Sequence, residues 1–365
     1  MSGWEQSSTK QNLSCAVRVP GGVVVLPGMY GLCLCGLMIG MKMEQTPKTQ
    51  NQTLYNAPKL YSDKWLTQLM SDCTLCPRNC HADRTLGNNG YCGSSDRLFA
   101  ARAALHFWEE PCISGTNGSG TIFFSGCNLR CIFCQNHNIA LGVTGKEISL
   151  THMSEIFLEL QEKGAHNINL VTPSHYIPQI CIALDKAKLQ GLSIPVVYNT
   201  GSYEKPESLR YLEGLVDIYL PDFKYYSSQL SQAYSHAPDY FTVASKAIEE
   251  MYRQVGKPVF DNRNGLMQKG IIVRHLLLPG QTRDSKKILR YLYETYKNDI
   301  YVSIMNQYTP MPHMAEDERL NRPISPEEYA RILHFAEMLG IENGFVQEGE
   351  TAKESFIPPF DYEGL

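Results

Sequence analysis

Three cysteines within eight residues constrain this chain more than anything else in it. They are Cys127, Cys131 and Cys134 in the stretch FFSGCNLRCIFCQN, at spacing C-x3-C-x2-C. Disulfide pairing would leave one thiol over, and a structural zinc site normally wants four ligands. Three thiolates from one loop suit an iron–sulfur cluster with one iron left free of protein ligands. That free iron is where chemistry would take place. The loop follows the apolar run TIFF (121–124), which reads as a strand.

The other cysteines are clustered too. Of the 12 in the chain, three lie in residues 1–35 and four in 73–92, while Cys112 and Cys181 stand alone. Tight clusters in a chain of 365 residues point to metal binding in a reducing compartment, hence to a cytoplasmic protein, and away from a disulfide framework. At 43% apolar residues the chain can bury one large core, or one core and a small satellite. A net charge of −4 with no basic run gives no reason to expect nucleic acid.

Four parts follow from the pattern. Residues 1–43 form a leader. Its stretch 19–41 is uncharged and long enough for a bilayer, but it carries six Gly and two Pro. It reads as a disordered extension, or as translation from an upstream start with Met41 or Met43 as the working start; a signal anchor is the competing reading. No membrane association is expected, and Cys15, Cys33 and Cys35 carry no chemistry on this reading. Residues 44–115 hold a polar linker and a Cys-rich metal-binding segment, 116–312 a βα core, and 313–365 a C-terminal helix and tail that close it.

In the core, apolar runs at 121–125, 167–172, 194–198, 216–220, 271–278 and 300–305 read as strands covered on both faces. Helical spacing lies between them. Met153, Ile156, Phe157 and Leu160 form one stripe that Gly164 ends, and Ile177, Ile180, Cys181 and Leu184 form a second, which makes Cys181 a core residue. Ser325, Pro326 and Glu328 spell a capping box. Six strands alternating with helices predict an α/β fold with parallel pairing, either a doubly wound sheet or a partial (βα)6 barrel. Ligands then sit at the C-terminal strand ends, which is where the three-cysteine loop falls.

The segment GCNLRCIFCQN, following a strand and opening a βα series, resembles the radical S-adenosylmethionine superfamily. Within it, the chain resembles proteins related to pyruvate formate-lyase activating enzyme, in a branch with an N-terminal segment of four cysteines. CTLCPRNCHADRTLGNNGYCG, ALHFWEEPCISG, GAHNINLVTPSHY and FIPPFDYEG carry the likeness further, over roughly residues 70 to 365. The resemblance implies a partial (βα)6 barrel holding a [4Fe-4S] cluster on Cys127, Cys131 and Cys134. S-adenosyl-L-methionine would chelate the fourth iron. Its reductive cleavage would give a 5′-deoxyadenosyl radical that abstracts hydrogen from a substrate. A flavodoxin- or ferredoxin-like protein would be the one-electron reductant.

The resemblance also implies roles for single residues. Phe133 stands where an aromatic meets the adenine, with a plain core role as the other reading. Thr172 lies in Val171-Thr172-Pro173-Ser174, where many relatives carry Gly-Gly-Glu-Pro. Asn199, Thr200, Asp222 and Lys224 end the third and fourth strands, where the activating enzymes hold their cofactor. Arg274, a charge inside an apolar strand, needs a partner. The family offers the cofactor's carboxylate; Asp222 is the internal alternative. Tyr308 stands where relatives often have a histidine. Glu109 and Glu110 read as surface charges, with the active-site mouth as the second reading, and His175 and His275 as structural, with donation to substrate as the second reading.

Cys73, Cys76, Cys80 and Cys92, at C-x2-C-x3-C-x11-C among Gly87, Gly90 and Gly93, form a second candidate metal site, for zinc or a second iron–sulfur cluster. Cys112 reads as packing. Two other functions stay open: an activase placing a glycyl radical on a partner protein, and an iron–sulfur protein of electron transfer without turnover.

Overall fold

The computed structural model describes residues 16–19, 22–25, 61–311, 317–347 and 358–365. Most of the leader and the linker, with Cys15, Cys33, Cys35, Met41 and Met43, lie outside the described residues. β1 (Ala16–Val19) and β2 (Gly22–Val25) pair antiparallel.

All other strands among the described residues belong to one ten-stranded sheet. They are β3 (Leu98–His106), β4 (Ser119–Phe124), β5 (Lys146–Ile148), β6 (Ile168–Val171), β7 (Val196–Thr200), β8 (Ile218–Pro221), β9 (Val259–Phe260), β10 (Met267–Leu276), β11 (Tyr301–Met305) and β12 (Gly344–Val346). Their order is β12-β11-β10-β8-β7-β6-β4-β3-β5, with β9 on β10. Each of the six apolar runs is a strand, and β4, β6, β7, β8, β10 and β11 pair in parallel in that sequence. This is the partial (βα)6 barrel. β12 extends the parallel series. β3 runs antiparallel to β4 and brings part of the cysteine-rich segment into the sheet.

Every residue of β4, β6, β7 and β8 is buried, which explains why their sequences do not alternate. Helix Leu150–Glu162 starts at Ser149, whose side chain accepts from His152 N, and buries Met153, Ile156, Phe157 and Leu160. Each such side chain contributes about 1.5–3 kcal/mol. Helix Ile177–Leu189 buries Ile177, Ile180, Cys181 and Leu184. Helices Tyr240–Val255 and Thr282–Tyr296 lie between β8 and β10 and between β10 and β11. Between β7 and β8 only one-turn pieces occur, Pro206–Leu209 and Arg210–Leu212. Helix Pro326–Leu339 has the complete capping box of Ser325 and Glu328, a cap of about 1 kcal/mol. Among the described residues no helix is long and apolar enough to cross a membrane.

Candidate active site

The three-cysteine loop leaves the C-terminal end of β4 through a tight turn. Gly126 has φ +95°, and a Cβ there would lie 2.9 Å from the Cys92 carbonyl oxygen, so the turn requires glycine. Cys127 N–H donates to that carbonyl at 3.1 Å, and Ser125 N–H donates to Phe99 O at 2.9 Å. The Asn128 amide donates to Tyr203 O at 2.7 Å. Leu129, buried, packs against Gly201, where a Cβ would come within 2.7 Å of Leu129 Cδ1. The loop is thereby seated on the ends of β4 and β7.

Cys127, Cys131 and Cys134 all line one cleft of about 250 Å³ at the C-terminal ends of the strands. One water needs only about 10–15 Å³ measured this way, so the cleft has room for an organic ligand. Thr172 after β6, Asn199 on β7, Asp222 and Lys224 after β8, and Arg274 on β10 line the same space, as does Phe133.

The thiols have donors around them. Ser235 Oγ–H points to Cys131 Sγ at 2.9 Å, and Leu129 N–H to Cys127 Sγ at 3.4 Å. Burial, then the neighbouring cysteines, push the Cys134 thiol up to about 12, and burial likewise raises Cys127. Backbone N–H groups and Lys224 work in the opposite direction without prevailing. A thiolate here at neutral pH therefore needs a strong cation, which a metal supplies. Soft sulfur donors on one loop with N–H groups aimed at them fit iron. Among the described residues no three His, Cys, Asp or Glu side chains already stand as a closed metal cage.

Lys224 Nζ pairs with Asp222 Oδ2 at 2.5 Å. Burial disfavours the Lys224 cation, but the charge of Asp222, then that of Cys131, hold its pKa above the ordinary lysine range. The Tyr240 hydroxyl lies 2.9 Å from Asp222 O and accepts from Lys224 N–H at 3.0 Å, which fixes the rim after β8.

Arg274 corrects the internal reading, in which Asp222 would be its salt-bridge partner. Its guanidinium is already gripped by two carboxylates: Nε donates to Glu110 Oε1 at 2.9 Å, Nη2 to Glu110 Oε2 at 2.6 Å, and Nη2 also to Glu109 Oε2. Its side chain pairs with these two glutamates and not with Asp222, which it meets through a backbone β-bridge. Glu109 and Glu110 are buried, not surface charges, and they line the cleft. Burial opposes the Glu109 carboxylate, but Arg274 and His106 outweigh it and hold its pKa below the usual range. Asn169 Nδ2 donates to Glu109 Oε1 at 2.8 Å. The signal for this triad was present: an arginine inside an apolar strand demands anions, and two adjacent glutamates precede Pro111 in an apolar setting.

Thr200 is the second correction. It is buried away from the cleft, and its Oγ1–H donates to Glu204 Oε1 at 2.5 Å, beside donors Ser174 and Tyr198. Burial pushes Glu204 up to about 7 despite those bonds. Phe133 is 6% exposed and packs edge-on to Tyr308, Tyr234 and Tyr225, with centroids 6.1, 6.2 and 6.4 Å away. Tyr308 stands behind it and donates to Leu320 O at 2.6 Å. His175 and His275 donate to Ser125 O and Phe223 O at 2.8 and 2.7 Å; burial lowers them to about 3 and about 4. The other ring nitrogen of each, His175 Nδ1 and His275 Nε2, is buried without a hydrogen-bond partner among the described residues.

The second cysteine group lies on loops around Gly90. A Cβ on Gly90 would sit 3.2 Å from Cys80 Sγ and 3.5 Å from Cys92 Sγ. Burial, with smaller contributions from Cys92, Glu204 and Cys73, pushes the Cys76 thiol up to about 12.

No known protein-family profile matches the chain. An uncharacterised protein of Methanocaldococcus jannaschii is 27% identical over 284 residues, covering 75% of this chain and 77% of that one. Solved structures similar in part include a domain of pyruvate-formate lyase-activating enzyme from Bacteroides vulgatus, with TM-score 0.33 and 14% identity over 47% of this chain and 89% of that one. Streptococcus suis SuiB bound to S-adenosylmethionine gives TM-score 0.42 and 12% identity over 62% of this chain and 49% of that one. Methylornithine synthase gives TM-score 0.41 and 14% identity over 76% and 69%.

Proposed function

We propose that the chain is a radical S-adenosylmethionine enzyme, with a [4Fe-4S] cluster on Cys127, Cys131 and Cys134 and the cofactor in the cleft. One observation carries this reading: three thiols of one loop open on the same cavity as the polar strand-end residues of β6, β7 and β8. When bound, cluster and cofactor supply one-electron cleavage of the sulfonium to methionine and a 5′-deoxyadenosyl radical that takes hydrogen from substrate.

The chain's own residues bind and orient. Asp222 and Lys224 present opposite charges side by side, suited to the carboxylate and ammonium of an amino acid. Thr172 and Asn199 add hydrogen-bonding groups, and Phe133 gives an apolar wall. Arg274 acts at one remove, holding Glu109 and Glu110 in place. A pure electron carrier has no use for a cleft lined in this way, which weighs against that reading. A small reductant protein and a substrate, whether small molecule or protein, complete the reaction.

The test is anaerobic. The chain is reconstituted with iron and sulfide, reduced with dithionite and given S-adenosylmethionine, and 5′-deoxyadenosine is quantified by chromatography. Product is expected from the wild type and not from Cys127→Ala, Cys131→Ala or Cys134→Ala. A well-formed cluster that never binds the cofactor would overturn the proposal in favour of electron transfer.

A further inference from the structure

Arg84 is completely buried, and among the described residues no carboxylate pairs with it. Its Nε donates to Ser95 O at 2.9 Å and its Nη1 to His175 O at 2.8 Å, both neutral carbonyls. A buried guanidinium without an anion is costly by several kcal/mol. Nη2 also donates to Ser95 O, the guanidinium lies 5.9 Å from the Tyr176 ring centroid, and Nη1 lies 3.8 Å from Cys73 Sγ. The other thiols of the group are near enough to act on one another electrostatically, Cys76 with Cys92 and Cys73, and Cys92 with Cys73 and Cys80, though among the described residues they do not stand as a closed cage. Cys80 Sγ is 3.9 Å from the Cys73 carbonyl, and Cys80 and Cys92 flank Gly90. Four thiolates on one metal carry a net negative charge, which is what Arg84 lacks.

We infer that Cys73, Cys76, Cys80 and Cys92 bind a thiophilic metal, as a zinc ion or an iron–sulfur cluster, whose anionic shell neutralises Arg84 and which fixes the turn carrying Cys127.

The second half of the inference rests on direct bonds between the two cysteine groups. Cys92 O accepts from Cys127 N–H at 3.1 Å. Arg78, two residues after Cys76, donates through Nε to Asn128 O at 2.8 Å and through Nη2 to Ser235 O at 2.9 Å, and Ser235 is the hydroxyl that contacts Cys131. Arg84 reaches the same turn through His175, whose ring donates to Ser125 O. Closing a metal site on the four thiols therefore pins the backbone on both sides of Asn128.

The test counts metal in the full chain. A Cys127→Ala/Cys131→Ala/Cys134→Ala variant has no loop thiols left. It is expected to retain about one zinc per chain or about four iron and four sulfide, and either result supports the inference. A folded variant with neither metal, and all four remaining thiols of the group freely titratable, overturns it. Should that variant fail to fold, the metal content of the wild type minus that of Cys76→Ala/Cys80→Ala gives the same count. In the latter variant the coupling predicts a broadened, heterogeneous electron paramagnetic resonance signal from iron at Cys127; an unchanged signal removes the coupling. This count does not depend on S-adenosylmethionine, so its failure and that of the radical reading are separable.

Discussion

Two arginines lie inside this protein in opposite electrostatic situations. Arg274 faces two carboxylates, one more than its charge requires. Arg84 pairs with none among the described residues; it meets carbonyls, a cysteine sulfur and the Tyr176 ring. Glu204 offers a third arrangement: a buried acid held by three hydroxyls, with a pKa of about 7. Where the chain supplies its own counter-ion, the site is structurally complete. Where it does not, a proton or a metal closes the balance. On the proposals made above, both cysteine groups are of the second kind.

Removing a loop thiol should have the largest effect. Cys127→Ala, Cys131→Ala or Cys134→Ala should reduce 5′-deoxyadenosine formation to background and lower bound iron, while the fold, followed by circular dichroism, persists. Arg274→Met comes next. It leaves Glu109 and Glu110 buried without their cation and should cost about 3–5 kcal/mol in urea unfolding. Adding Glu109→Gln and Glu110→Gln should recover most of that loss; no recovery would break the contrast with Arg84.

Glu204 predicts a pH effect of on the order of 3 kcal/mol. Its folded pKa is raised from 4.5 to about 7, so the folded state binds the extra proton between those values. Its stabilising contribution is full below 4.5 and declines as pH rises through about 7. Glu204→Gln should remove that decline, seen as a urea midpoint that changes less between pH 5 and pH 8 (roughly the two limits) than in the wild type. The smallest effect is expected at the cleft rim. Lys224→Met should weaken S-adenosylmethionine binding by about 2 kcal/mol, or roughly 30-fold, measured by calorimetry on the reconstituted chain.

The parallel strands were legible because burial on both faces leaves continuous apolar runs, and the cysteine loop because its spacing is dense. β3 was not, since LFAARAALH reads equally well as a helix, and its strand state is set by pairing with β4. β12, three residues long, gives too short a pattern to register. In the cleft, the sequence placed Thr172, Asn199, Asp222 and Lys224 at strand ends, and they line it. It misplaced Thr200, because alternate residues on a strand point to opposite faces and Asn199 holds the cleft side. An arginine in an apolar strand signals a need for anions, but its partners lie 164 and 165 residues away in sequence, so no local pattern says which carboxylates meet it.

The last eight residues have a practical consequence. Tyr362 N–H donates to Ala101 O, Ala103 N–H to Glu363 O, and Lys146 Nζ to Leu365 O, while Pro358 stands on the wall of the cleft. The tail is thus a sheath laid along β3, and Arg102 fastens it through Asp361 and Glu363. An affinity handle fused after Leu365 would pull on that sheath close to the cleft wall at Pro358. Purification handles belong at the opposite terminus, and kinetic comparisons between differently tagged preparations should be made with the tail left free.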